Sequence, residues 1–135
     1  MNHSDIIGEW KIARSIEDRL GKKYFTLDGV ATFTNNANLY YYNETGIMKS
    51  ESFQSKAHQD YLWIVTKEGW KIKFRDGTHF YDLELARQEQ DVYHKCKNDI
   101  YHGKFLLNLP NDIKVLWNVN GPRKDYVSRT YYKKK

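Results

Sequence analysis

Four residues in the last third of the chain could act on a substrate together. They are His94, Cys96, Asp99 and Tyr101, spaced H-x-C-x2-D-x-Y. Histidine titrates nearest neutrality, so His94 suits proton donation or acceptance. Asp99 could orient it, and Tyr101 could donate a hydrogen bond. His94 and Cys96 share one face of a strand. Asp99 and Tyr101 have opposite parity, so a turn or bulge at Asn98 is required to gather all four. The same set also suits a purely structural hydrogen-bond network. Cys96 as a nucleophile needs a neighbouring cation or imidazole, whereas a lone cysteine in a β protein more often packs as a small apolar residue. Zinc needs three or four ligands in tetrahedral reach. His94 and Cys96 supply two, and His58, His79 and His102 are scattered, so no metal site is expected.

A second group consists of cations near the two ends of the chain. Arg14 lies on the apolar face of its segment, in phase with Gly8, Trp10, Ile12 and Ile16. A charge there must meet a ligand or an internal acid such as Glu44 or Asp99. Lys124 follows Gly121-Pro122-Arg123 in the segment W-N-V-N-G-P-R-K-D-Y. With Arg14 it could hold a carboxylate or phosphate. Gly121-Pro122 reads first as a rigid corner, with glycine free to take positive φ.

The elements that must position these residues are strands. Apolar and polar residues alternate from Gly8, over Tyr24 to Asn35, from Leu39 to Glu44, and from His58 to Lys67. Gly29 inside the second of these marks a bend or a close approach. Asn35-Asn36 and Thr45-Gly46 read as turns, with a less clear strand over 47–57. Glu68-Gly69 and Asp76-Gly77 read as hairpin turns around Trp70–Arg75. His79–Leu85 follows, then a polar connection at 86–90 with room for one helical turn. Asp91–Lys97, Tyr101–Leu109, Ile113–Val119 and Tyr126–Tyr132 complete the series. The expected fold is all-β: a single antiparallel up-and-down barrel of about ten strands over residues 1–135. Such a barrel is either filled by side chains or holds one small ligand.

Composition narrows the function. Aromatic residues make up 16% of the chain, including eleven tyrosines. The net charge is +5, but Lys133, Lys134 and Lys135 read as a solvated tail, which weakens the case for nucleic acid. Alternation sends Tyr40, Tyr41 and Tyr42 to opposite faces, so they read as barrel core and rim rather than a base-stacking platform. One cysteine allows no internal disulfide and fits a reducing compartment. The first residues lack the apolar region of a signal peptide, and no apolar run approaches a membrane span. A cytoplasmic protein is expected. Phosphate-binding glycine loops and the G-x-S-x-G elbow are absent.

Two resemblances add to this reading. Gly8-x-Trp10 resembles the opening of lipocalin-like (calycin) barrels. That likeness implies a tryptophan plugging the closed end, with a last-strand cation, here Arg129, packed over it. A longer series is similar to a family of small bacterial and fungal proteins known only as a domain of unknown function. It comprises Gly8-x-Trp10-x3-Arg14-x-Ile16-x-Asp18, Tyr40 to Glu44, Tyr61-x-Trp63, Phe74-x-Asp76-Gly77-x2-Phe80, His94-x-Cys96-x2-Asp99-x-Tyr101 and Trp117-x-Val119-x-Gly121-Pro122-x-Lys124-Asp125-Tyr126 with Thr130-x-Tyr132. This likeness implies a β-barrel and no particular reaction. Fusion of some fungal members to flavin-dependent oxidoreductases would imply an accessory role beside a redox partner.

The leading expectation is a barrel binding a small, partly apolar, anionic molecule. The expected contacts are Arg14, Tyr41, Tyr61, Trp63, His94, Cys96, Trp117 and Lys124. The alternatives are an enzyme using His94, Asp99 and Tyr101, and an interaction module. The sequence names no cofactor and no oligomeric state.

Overall fold

The computed structural model describes residues 1–135. A 3-10 turn at His3–Ile6 precedes ten strands: β1 (Gly8–Asp18), β2 (Lys23–Asn36), β3 (Leu39–Ser50), β4 (Phe53–Val65), β5 (Gly69–Lys73), β6 (His79–Glu84), β7 (Glu89–Cys96), β8 (Asp99–Asn108), β9 (Asp112–Gly121) and β10 (Lys124–Lys134). All neighbours are antiparallel, in the order β6-β5-β4-β3-β2-β1-β10-β9-β8-β7. The chain therefore rolls an up-and-down meander into a nearly closed barrel, as the alternation requires. No helix is long and apolar enough to cross a membrane.

Three local expectations need correction. Thr45-Gly46 is not a turn: β3 runs through it, and Gly46 pairs with Gly29 on β2. A Cβ on Gly29 would lie 2.1 Å from the Thr45 carbonyl oxygen, so the glycine marks a close approach of two strands. The turn falls at Glu51-Ser52, and the unclear 47–57 region divides between β3 and β4. The 86–90 connection holds no helical turn, because β7 already begins at Glu89. Between β5 and β6 the register shifts at Ile72 and Lys73, which pair with Tyr81 and His79. Phe80 is the extra residue, and both Phe80 and Tyr81 are buried.

The sheet leaves one seam. β6 and β7 lie at opposite ends of the strand order and share no ladder. A side chain does the joining there. Gln90 Oε1 accepts a hydrogen bond from Glu84 N, and its Nε2 donates to the Glu84 and Arg87 carbonyls, each at 2.8 Å. Gln90 is correspondingly buried, as a fully bonded amide can be.

One end of the barrel is closed. Trp10, Trp70, Ile6 and Leu107 are buried there. Trp10 Nε1 donates to the Ile6 carbonyl at 2.9 Å. His3 Nε2 lies 3.1 Å and 3.0 Å from the Thr66 and Gly69 carbonyls, which can only accept, so this nitrogen carries a proton. The cation over Trp10 is Lys134, not Arg129. Its Nζ stands 4.6 Å from the ring centroid and donates to the Asp5 and Ile7 carbonyls at 2.9 Å and 2.6 Å. Parity explains the correction: Arg129 alternates outward, whereas Lys134 turns in with Tyr132 and Thr130. Lys134 is thus a structural plug rather than part of a solvated tail. Burial lowers its pKa. Gly8 has φ +123°, and Lys134 packs against the space a side chain would fill. That gives the Gly-x-Trp spacing a physical cause.

Candidate functional site

The interior holds a cavity of about 330 Å³. Tyr61, Phe80, Tyr81, Phe105 and Trp117 line its aromatic wall, with Ile16, Leu27, Met48 and Val119. Phe80 stacks on Trp117, with centroids 5.4 Å apart and planes 14° from parallel. The bulge on β6 is what turns Phe80 inward to make this stack. The cavity reaches toward the open end of the barrel, where Tyr101 and Tyr126 contribute to its lining.

Arg14, Glu44, Tyr42, Thr130 and Tyr132 form the polar part of the lining. Arg14 reaches Glu44 with both terminal nitrogens, at 2.6 Å and 2.9 Å, and its Nε donates to Thr130 Oγ1 at 2.7 Å. Tyr42 donates its hydroxyl proton to Glu44, and the Tyr42 and Tyr132 hydroxyls are 2.9 Å apart. Burial works against the Arg14 cation, but the Glu44 bond and the surrounding oxygens outweigh it, and its pKa is raised. The guanidinium charge is therefore met within the protein, by Glu44. Of the two partners open to it from sequence, the internal acid is the one it meets. Glu44 is 2% exposed; its signal in the sequence is its phase with Tyr40 and Tyr42 on an inward face.

Several polar groups have no such partner. The hydroxyls of Tyr61, Tyr81, Tyr126 and Ser128 line the cavity without a hydrogen bond to protein. Burial, then the nearby Glu44 charge, pushes the Tyr61 hydroxyl up to about 12. Burial also raises Tyr81, Tyr126 and Tyr132. These tyrosines stay neutral donors at ordinary pH.

The His94 group is brought together in part. The Lys97-Asn98 turn, with Lys97 at φ +56°, places His94 opposite Tyr101 and Cys96 opposite Asp99. All four then point to one face, as the required turn implied. They do not form one network. His94 makes no hydrogen bond and sits among rings, with centroids 5.0 Å from Phe80, 5.7 Å from Tyr101 and 5.8 Å from Phe74. Asp99 turns away from it. One carboxylate oxygen lies 3.4 Å from Lys124 Nζ, and the other fills the space above Gly121, where a Cβ would stand 1.9 Å away. Lys124 Nζ donates to the Tyr101 hydroxyl at 2.9 Å. That bond raises the lysine pKa and keeps it charged. The orienting carboxylate of an acid–base pair is thus engaged elsewhere. Gly121 is not in the left-handed region; the approach of Asp99 is what requires glycine there.

The remaining expected contacts divide. Trp63 and Trp117 line the interior with Tyr61. Trp63 stands deeper, 4.9 Å from Phe33 and 5.5 Å from Trp70. Tyr41 faces outward and is 42% exposed, so it cannot touch an interior ligand; strand alternation sends Tyr40 and Tyr42 inward instead. Cys96 is exposed at the end of β7. Arg129 lies with Lys104 and Lys114 in a shallow outer concavity of about 840 Å³, beside Asp28, Glu89 and Asp91. The mixed charges of that open shelf make it a solvated face.

A fold of this kind recurs among solved structures. The S-type phycobiliprotein lyase CPES from Guillardia theta superposes with a TM-score of 0.68 at 7% identity, over 98% of this chain and 90% of that one. A de novo designed fluorescence-activating β-barrel gives a TM-score of 0.48 at 10% identity, over 99% of this chain and 100% of that one. At these identities the first likeness establishes the fold alone. No curated protein matches the sequence. The sequence profile of one family of unknown function spans residues 6–134, and on that match the chain belongs to the DUF6314 family.

Proposed function

We propose that the barrel binds one small, largely apolar molecule in its interior, entering through the open end. The observation that carries this reading is the 330 Å³ cavity with its unpartnered hydroxyls. Volumes near 300 Å³ stand at the small end of sites that enclose organic ligands. They favour a compact body of one or two rings over a long chain or an open tetrapyrrole. The Phe80–Trp117 stack gives a flat ring a surface to pack against, and Tyr61 and Ser128 give it hydrogen bonds. An anionic group on such a ligand cannot use Arg14, which Glu44 neutralises. It stays at the mouth, where Lys124 is charged and within reach of solvent.

The test is a thermal-shift panel of compact aromatic carboxylates, their neutral esters and larger conjugated anions. A ligand at a hundred times its Kd stabilises a fold by about 2.7 kcal/mol, which is readily seen as a rise in Tm. One compact aromatic class should stabilise the protein, and Ser128→Leu, which adds bulk to the cavity wall, should weaken the effect. No stabilisation by any class, or stabilisation that Ser128→Leu leaves unchanged, refutes the reading.

A further inference from the structure

The five turns at the open end carry a pattern that the cavity does not use. These turns, with their flanking residues (18–24, 49–54, 74–78, 95–100 and 121–125), hold nine Lys or Arg against five Asp or Glu. The net charge of the whole chain is +5, so nearly all of it sits at this end. Three of the nine cations are paired: Arg19 with Asp125, Arg75 with Asp60 and Lys124 with Asp99. The other six, Lys22, Lys23, Lys49, Lys95, Lys97 and Arg123, make no ion pair. Large apolar side chains stand among them. Leu20 is 60% exposed, Tyr24 59%, Ile100 51% and Phe53 49%. They belong to three different turns, and the cavity opens between those turns.

We propose that this rim docks on an anionic lipid bilayer, with the barrel mouth facing the membrane. Charge complementarity selects an anionic partner. The arrangement of the apolar groups selects a lipid surface rather than a protein. They are spread over three turns and the strand ends beside them, rather than gathered on one face that could meet a matching protein surface. A bilayer interface accepts individual aromatic and aliphatic side chains, and long lysine stems lie along it with their charges at the headgroups. The proposal stands whether or not the cavity is occupied.

Co-sedimentation with vesicles tests it, using phosphatidylcholine alone and phosphatidylcholine mixed with phosphatidylserine. The full chain should pellet with the mixed vesicles and not with the neutral ones, and salt should release it. Lys23→Glu/Arg123→Glu should weaken binding at least tenfold, and Leu20→Asn/Phe53→Ser should weaken it without changing its salt dependence. Lys67→Glu, at the closed end, should bind as the parent does. Circular dichroism confirms the fold of each variant. No binding to mixed vesicles overturns the proposal, as does binding that the rim variants leave unchanged. Binding of polyglutamate at the rim without vesicle binding would assign the surface to an acidic protein and overturn it equally.

Discussion

The two ends of this barrel are built from different materials. At the closed end Trp10, Trp70 and Ile6 are sealed by backbone carbonyls that take Trp10, His3 and Lys134 as donors. Nearly every polar group there has a partner; the Trp70 indole nitrogen is the exception. At the open end hydroxyls lack partners, cations are unpaired and apolar side chains face solvent. One end is organised for stability, and the other leaves its interactions to be completed from outside. Arg14 and Glu44 lie between the two and belong to the first kind.

That contrast can be broken by substitution. Glu44→Leu strands the Arg14 cation in the interior and should cost about 3–5 kcal/mol, read as a lower urea midpoint. Replacing both partners by apolar residues should recover most of the loss. Alkali gives the next effect. Tyr61 is raised to about 12, so the unfolded chain loses its proton first as pH climbs past about 10. Stability is intact below that pH and falls as pH rises toward the folded value, by about 2 kcal/mol from this residue alone. Loss of β-sheet dichroism over that pH range checks this. Lys134→Met removes two hydrogen bonds and the contact with Trp10, for about 1–2 kcal/mol in chemical unfolding. The smallest effect belongs to the rim. Tyr101→Phe should change stability by less than about 0.5 kcal/mol. It should still shift the pH at which Lys124 loses its charge downward, because the bond to Tyr101 is the main cause of its raised pKa. A stability loss at the rim as large as that at Glu44 would erase the distinction.

The sequence carries the architecture because alternation is a property of single strands. The up-and-down barrel, the inward Arg14 and the resemblance to a family of unknown function are all legible in it. So is the turn needed to align His94, Cys96, Asp99 and Tyr101. What depends on pairing between strands is not. Gly46 looks like a turn until Gly29 is placed opposite it. Phe80 faces the cavity only because the β5–β6 register slips. Tyr41 reads as an interior contact only if its own neighbours, Tyr40 and Tyr42, do not hold the inward positions, and they do. Lys134 looks like tail because nothing local shows that Trp10 lies beneath it. The Asp99–His94 link fails for a similar reason: both stand on one face, but Gly121 and Lys124 from another hairpin draw the carboxylate aside.

The seam between β6 and β7 has a mechanical consequence. A tube slit along its length resists bending nearly as well as an intact one, yet twists far more easily. Here nine ladders carry the load, and a single glutamine amide fastens the slit. Shear along that line works against the Gln90 amide and moves Phe80 on one lip past His94 on the other, where only rings touch. The interior volume is therefore a compliant quantity. Its softest direction runs along the wall where Phe80 stacks on Trp117.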